Sequence, residues 1–261
     1  MRGVAIVSPL RTAVGGFGGT LKPVSAADLG AIVLKQIISN TNLDVERIDD
    51  VILGHGYPSG ENPAIGRLTG LKADLPIEVP GYQLDRRCSS GLQAILNASM
   101  LIQTENADVV VAGGVESMSN AEFYTNESRW GARFGTVEFH DRLERARVTI
   151  APEERFGYIA GMVGTAENLA EQYEIAREEQ DEYALRSHQR AVHASESGKF
   201  QEEIVSILIK SKKAEINFMK DEHPREGLNL DILTRLKPVF KSDGTVTAGN
   251  ASGINDGAAA V

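Results

Sequence analysis

Apolar positions in the first 120 residues come in short runs separated by amphipathic stretches. Val4-Ala5-Ile6-Val7 reads as an opening strand, followed by the glycine-rich turn Gly15-Gly16-Phe17-Gly18-Gly19. Ser25 with Asp28 three residues on resembles a capping box, and Leu29, Ile32, Val33 and Ile37 then share one helical stripe, with Asn40 as terminator. Asp50 to Leu53 predicts a buried strand ending at Gly54, and part of Asn62 to Leu71 a second helix. Ile77 to Leu84 is extended because Pro80 and Gly81 oppose a helix there. Ser89 to Glu105 is helical through Leu92, Ile95, Leu96 and Ile102, and Asp108 to Val111 is a β-branched strand closing on Gly113-Gly114. Strands alternating with helices predict an α/β domain around a mainly parallel, covered sheet.

Beyond residue 120 the pattern changes. Asn120 to Ala151 is polar with little periodicity and reads as surface loop. Gly164 to Ala176 and Glu178 to Glu196 are charged helices, Glu203 to Ile209 is a strand, and the stretch to Phe240 is polar and irregular. The reading is a core domain of 1–120 plus 249–261, with 121–248 inserted as a loop domain with its own small core. Gly249 to Val261 turns into an apolar strand without a closing polar tail, so the natural polypeptide is expected to continue.

The composition narrows the chemistry. Among 261 residues, 27 Lys+Arg against 36 Asp+Glu give a formal charge of −9, which opposes nucleic acid or an anionic membrane as the main partner. One cysteine excludes an intramolecular disulfide and a cysteine-rich zinc site. No basic segment leads into an apolar stretch at the start, and no apolar run approaches the ~18 residues of a membrane helix. These features predict a soluble protein of a reducing, cytoplasmic compartment.

Cys88 sits between the extended segment Tyr82–Arg87 and the helix that begins near Ser89-Ser90-Gly91. Unpaired N–H groups and the positive dipole end at a helix N-terminus favour thiolate over thiol. Arg86 and Arg87 add to this and Asp85 opposes it. The competing reading is a packed structural thiol, because free cysteines are commonly buried. His188 and His193, five apart on a helix, do not share a face for a metal pair. His55, in Gly54-His55-Gly56, either lines a cleft or bonds locally to backbone, the turn reading being favoured. His140 and His223 read as solvated, as does the Lys210, Lys212, Lys213 cluster. The glycine clusters match neither Gly-x-Gly-x-x-Gly nor the P-loop pattern, which argues against a nucleotide fold of those kinds.

Three segments together carry a family resemblance: Arg87-Cys88-Ser89-Ser90-Gly91-Leu92-Gln93-Ala94, Gly113-Gly114-Val115-Glu116-Ser117-Met118-Ser119, and Gly249-Asn250-Ala251-Ser252-Gly253-Ile254-Asn255-Asp256-Gly257-Ala258-Ala259-Ala260. Their order and spacing resemble the signature segments of thiolases. Thr165-Ala166-Glu167-Asn168, Phe240 with Gly244–Ala248, and the opening Ser8–Thr12 with Gly16–Gly19 are similar too. The resemblance implies a thiolase-like fold, layered α/β/α/β/α when complete, of which this chain is one mixed-sheet domain plus a loop domain that covers the coenzyme A site. It implies an acyltransferase that condenses two acetyl-CoA, or cleaves 3-ketoacyl-CoA in reverse, through an acyl-enzyme on Cys88. By position it assigns Ser252 to the pantetheine, Phe240 and Ala248 to its tunnel, Arg225 to the nucleotide end, and Met162 to the coenzyme A site. It implies no metal and no permanently bound cofactor, with coenzyme A and acyl-CoA as substrates and a homodimer or dimer of dimers as the assembly. The family's second cysteine, activating histidine and oxyanion asparagine lie in a C-terminal domain that this sequence does not contain, so residues 1–261 are expected to be inactive alone. Gly161 stands where biosynthetic members have a histidine, which favours thiolysis of longer chains over acetoacetyl-CoA synthesis. The alternative is a non-catalytic acyl-CoA-binding or lipid-binding relative.

Overall fold

The computed structural model describes residues 2–210 and 215–261. In chain order the elements are β1 (Leu10–Thr12), β2 (Gly15–Gly16), α1 (Ala26–Thr41), β3 (Asp50–Gly54), α2 (Ile65–Lys72), β4 (Gly81–Leu84), α3 (Ser90–Gln103) and β5 (Val110–Ser117). There follow β6 (Phe123–Tyr124), β7 (His140–Asp141), α4 (Arg142–Val148), α5 (Glu153–Phe156), α6 (Gly161–Gln172) and α7 (Arg177–Glu196). The chain ends with β8 (Ile204–Val205), β9 (Ile207–Lys210), β10 (Glu215–Phe218), α8 (Leu230–Thr234) and β11 (Asn255–Ala260).

Two compact units result: residues 1–120, 199–223 and 254–261, and residues 121–198 and 224–253. The segment 199–223, placed with the insertion in the sequence reading, thus lies in the first unit. The reason is pairing: β8 runs parallel to β1, and the Arg11 guanidinium bonds Glu203 at 2.7 Å and Asp221 at 2.8 Å.

The main sheet of the first unit has the order β4-β3-β5-β11-β1-β8, with β2 also on β11. It is mixed. β3 is parallel to β4 and β5, whereas β11 runs antiparallel to both β5 and β1. Side-chain alternation sends Val51 and Leu53 into the core under α1 and α2, and Ile52 to the other face against Ala94 and Ala98 of α3. Helices therefore cover both faces of the sheet, three layers in all, in agreement with the predicted α/β class.

Local departures from the sequence reading have identifiable causes. Val4–Val7 is not a strand: residues 10–12 find partners on both sides, while Ile6 and Val7 are more than half exposed beside an apolar cavity of about 390 Å³. Ser25 caps α1 as expected, but its hydroxyl both accepts from the Asp28 N–H and donates to the Asp28 carboxylate. The helix ends at Asn42, in the left-handed conformation, two residues past Asn40. Leu92 and Leu96 face outward; the small residues Ala94 and Ala98 let α3 approach the sheet. The segment read as loop contains a β6–β7 pair and α4, and the segment read as irregular contains β10 and α8. No helix among the described residues is long and apolar enough to cross a membrane.

In the second unit, a buried polar frame organises the chain from Phe240 to Asn250. Glu167 of α6 accepts the N–H groups of Thr245 and Val246 and the Thr245 hydroxyl at 2.9–3.1 Å. Asp181 of α7, with no exposure, accepts from Arg177 at 2.8 Å and from the Asn250 amide at 2.9 Å. Burial alone would raise the Glu167 pKa. The N–H donors, the Thr245 hydroxyl and the nearby Lys241 charge outweigh it, and the carboxyl is held below its ordinary range.

Candidate active site

Cys88 is exposed and precedes Ser89, the N-cap of α3. Exposure removes the packed-thiol reading. The turn that presents it is bonded at almost every step. Arg87 N–H donates to the Asp85 carboxylate at 2.8 Å, and Arg86 N–H to the Ser90 hydroxyl at 2.8 Å. That hydroxyl, itself buried, donates to the Arg87 carbonyl at 2.6 Å. Arg87 adopts φ +51°, a left-handed conformation that costs a non-glycine residue energy and persists only where its surroundings hold it. Gly54 completes the fit, because a Cβ there would lie 2.5 Å from the Ser90 carbonyl carbon. The end of β3 and the start of α3 thus touch backbone to backbone, and the thiol is presented at the N-terminal end of a 14-residue helix. Backbone N–H groups in the first turn of such a helix have no intrahelical acceptors and suit developing negative charge.

The remaining sequence-derived site residues lie in the second unit, and Cys88 in the first. Met162 is in the first turn of α6 and largely exposed. Gly164, two residues further along the helix, faces the ring of Phe240. Ala248 and Ser252 are exposed in the turn that follows the Glu167-bound segment, a turn closed by Thr247 N–H donating to Asn250 at 2.7 Å. Arg225 stands apart on a loop whose N–H donates to Nδ1 of His188 at 3.2 Å.

Sequence reasoning missed several contributors. His55 does not bond its own turn through its side chain. The imidazole is buried, with Nε2 3.1 Å from a carboxylate oxygen of Glu116 on β5. His140 is not a solvated side chain but packs edge-on to Tyr124 at 5.8 Å. Lys210 ends β9 at 3.5 Å from Glu215, while Lys212 and Lys213 lie outside the described residues. Ser90, Glu116, Glu167 and Asn250 all stand inside the segments that carried the resemblance. Their signal was present as motif membership, but their roles need three-dimensional partners.

The family model for "Thiolase, N-terminal domain" matches residues 4–261. A probable acetyl-CoA acyltransferase of Staphylococcus aureus is 44% identical over 260 residues, covering 99% of this chain and 65% of the relative. An acetyl-CoA acetyltransferase of Pseudomonas aeruginosa is also 44% identical, over 264 residues, covering 100% of this chain and 65% of the relative. The crystal structure of the Bacillus anthracis acetyl-CoA acetyltransferase is similar at a TM-score of 0.91 and 44% identity, covering 98% of this chain and 64% of that one. The chain therefore spans about 65% of the length of the curated relatives it matches. With a family model matched over nearly every residue, this chain belongs to the thiolase family through its N-terminal domain.

Proposed function

We propose that this chain is the nucleophile-bearing part of a thiolase-type acyltransferase, with Cys88 as the acyl carrier. The observation that carries the reading is the exposed thiol at the entrance of α3, on a turn whose left-handed Arg87 is bonded into place. In the first step the Cys88 thiolate attacks the carbonyl carbon of an acyl-CoA. The bond from that carbon to Cys88 Sγ forms, the bond to the coenzyme A sulfur breaks, and coenzyme A leaves as thiolate. In the second, an acetyl-CoA that has lost a methyl proton attacks the acyl carbon, and the Cys88 thiolate leaves. Reversed, the same steps cleave a 3-ketoacyl-CoA with free coenzyme A.

The second unit is read as the loop domain that binds coenzyme A, through Met162, Phe240, Ala248 and Ser252 for the pantetheine and Arg225 for the nucleotide phosphates. A cationic side chain at the nucleotide end answers the mismatch between a chain of charge −9 and an anionic substrate. The assembly proposed is a homodimer or dimer of dimers in the cytoplasm. Because Cys88 is the only cysteine, these 261 residues hold no second thiol to deprotonate the acetyl methyl group. Residues 1–261 alone are therefore proposed to bind coenzyme A weakly and not to turn over. The test is acetoacetyl-CoA thiolysis by the natively expressed protein and by purified residues 1–261. Activity in the native protein that disappears in Cys88→Ser is expected; turnover by the 261 residues themselves would overturn the division of labour.

A further inference from the structure

Beneath the Cys88 turn lie a buried histidine and a part-buried glutamate that the proposed reaction does not use. His55 is the first residue after β3, and its N–H donates to the Leu84 carbonyl at 3.0 Å, immediately before Asp85-Arg86-Arg87-Cys88. Its imidazole is 3% exposed. Nε2 lies 3.1 Å from Glu116 Oε1, off line for a good hydrogen bond, and Nδ1 meets no polar partner among the described residues. The other Glu116 oxygen accepts the Gly56 N–H at 2.8 Å. The Gly56 carbonyl in turn accepts from the Arg87 guanidinium at 2.7 Å. Arg87 also faces Asp85 at 3.3 Å and carries the left-handed backbone directly before Cys88. Gly56, Arg87, Ser90, Gly91 and Glu116 border one cavity of about 350 Å³ at this end of the sheet.

These contacts form one line: β5 to Glu116, Glu116 to the Gly56 peptide, Gly56 to Arg87, and Arg87 to the backbone of Cys88. The structure assigns His55 and Glu116 as positioning residues for Cys88, acting through the Gly54–Gly56 turn and the Arg87 side chain. Glu116 fixes the turn to the sheet, and His55 fills the space beside the carboxylate and holds it toward Gly56. With that turn fixed, Arg87 has a rigid acceptor, and its unfavourable backbone conformation is maintained without a glycine at that position. A carboxylate whose one buried oxygen lacks an aligned donor is costly to keep for stability alone. Its placement under the reactive turn is accounted for by the positioning it supplies. The assignment rests on the reading of Cys88 as the nucleophile.

Alkylation by iodoacetamide as a function of pH tests it on the natively expressed protein, read at the Cys88 peptide by mass spectrometry, because Cys88 is the only cysteine among residues 1–261 and that peptide reports it alone. Charge alone predicts opposite outcomes for the two key substitutions: removing the Arg87 cation should slow alkylation near neutral pH, and removing the Glu116 anion should speed it. Positioning predicts the same direction. Glu116→Ala and Arg87→Ala should each slow alkylation by about fivefold, the factor one net hydrogen bond is worth. The double variant should be little slower than either single one, because both cut the same line. Glu116→Gln, which keeps an acceptor for the Gly56 N–H, should restore the parental profile, and His55→Ala, which empties the space beside the carboxylate, should move it the way Glu116→Ala does.

Faster alkylation in Glu116→Ala, profiles superimposable on the parent in variants that remain folded by circular dichroism, or strictly additive effects would each overturn the assignment. If Glu116→Ala does not fold, the half-exposed Arg87→Ala still decides it: an unmoved profile there contradicts the proposal. A parental profile identical to that of free cysteine would instead count against Cys88 as nucleophile, and the variants would still decide the anchoring by whether they move that profile.

Discussion

Two loops of this chain hang from a glutamate, and they are built differently. In the second unit both Glu167 oxygens are fully used, by two backbone N–H groups and a hydroxyl, and the side chain is 4% exposed. In the first unit Glu116 gives one oxygen to Gly56 and leaves the other beside His55 without an aligned donor. A saturated carboxylate returns the cost of its burial as stability of the loop it holds. An incompletely bonded one contributes less stability, and here it stands under the residue read as the nucleophile. The contrast separates what holds the fold from what aims the chemistry.

The largest effect is expected from breaking the saturated cage. Glu167→Ala leaves the Thr245 and Val246 N–H groups buried without acceptors and should cost about 3–4 kcal/mol in urea denaturation. A loss below about 1 kcal/mol would mean that water replaces the carboxylate freely. Next comes Gly54→Ala, where the new methyl meets the Ser90 and Gly91 backbone at 2.5–2.6 Å. Backbone cannot rotate away as a side chain does, so about 2–3 kcal/mol and a displaced α3 are expected. Denaturant midpoint together with Cys88 alkylation would register both.

Acid provides a milder perturbation of the same cage. The Glu167 carboxyl binds its proton below its ordinary value of 4.5 when folded. The unfolded chain therefore takes up that proton first as pH falls, so the stabilisation is full above 4.5 and is lost as pH drops through the lower folded value. Urea midpoints measured through that window should fall less steeply in Glu167→Gln than in the parent; equal slopes would refute the coupling. The smallest stability effect is expected for Glu116→Ala, about 1 kcal/mol, despite its effect on Cys88. A loss as large as that of Glu167→Ala would erase the contrast between the two loops.

Much of the fold was legible because periodicity reports burial directly. The stripe Leu29, Val33, Ile37 and the strand Val51–Leu53 took the places their spacing predicts. Val4–Val7 did not, since an apolar run becomes a strand only where a partner supplies its backbone bonds. β11 is rich in Gly and Ala yet pairs on both sides, because small residues admit close neighbours; no propensity scale marks it as central. The same limit applies to the site. Cys88 was found from its place before a helix, a local property. His55, Glu116, Glu167 and Asn250 act through partners 61, 60, 79 and 69 positions away in the chain, and no local pattern encodes such pairings.

The proposed reaction stands or falls with Cys88 as the acyl carrier. Intact mass of the natively expressed protein, recorded before and after incubation with acetyl-CoA, tests it with no assumption about chain length or reaction direction. One added acetyl group, absent in Cys88→Ser, is expected. No adduct on the parent protein, or an adduct that survives Cys88→Ser, would contradict it and shift the search for function toward binding of acyl-CoA without transfer.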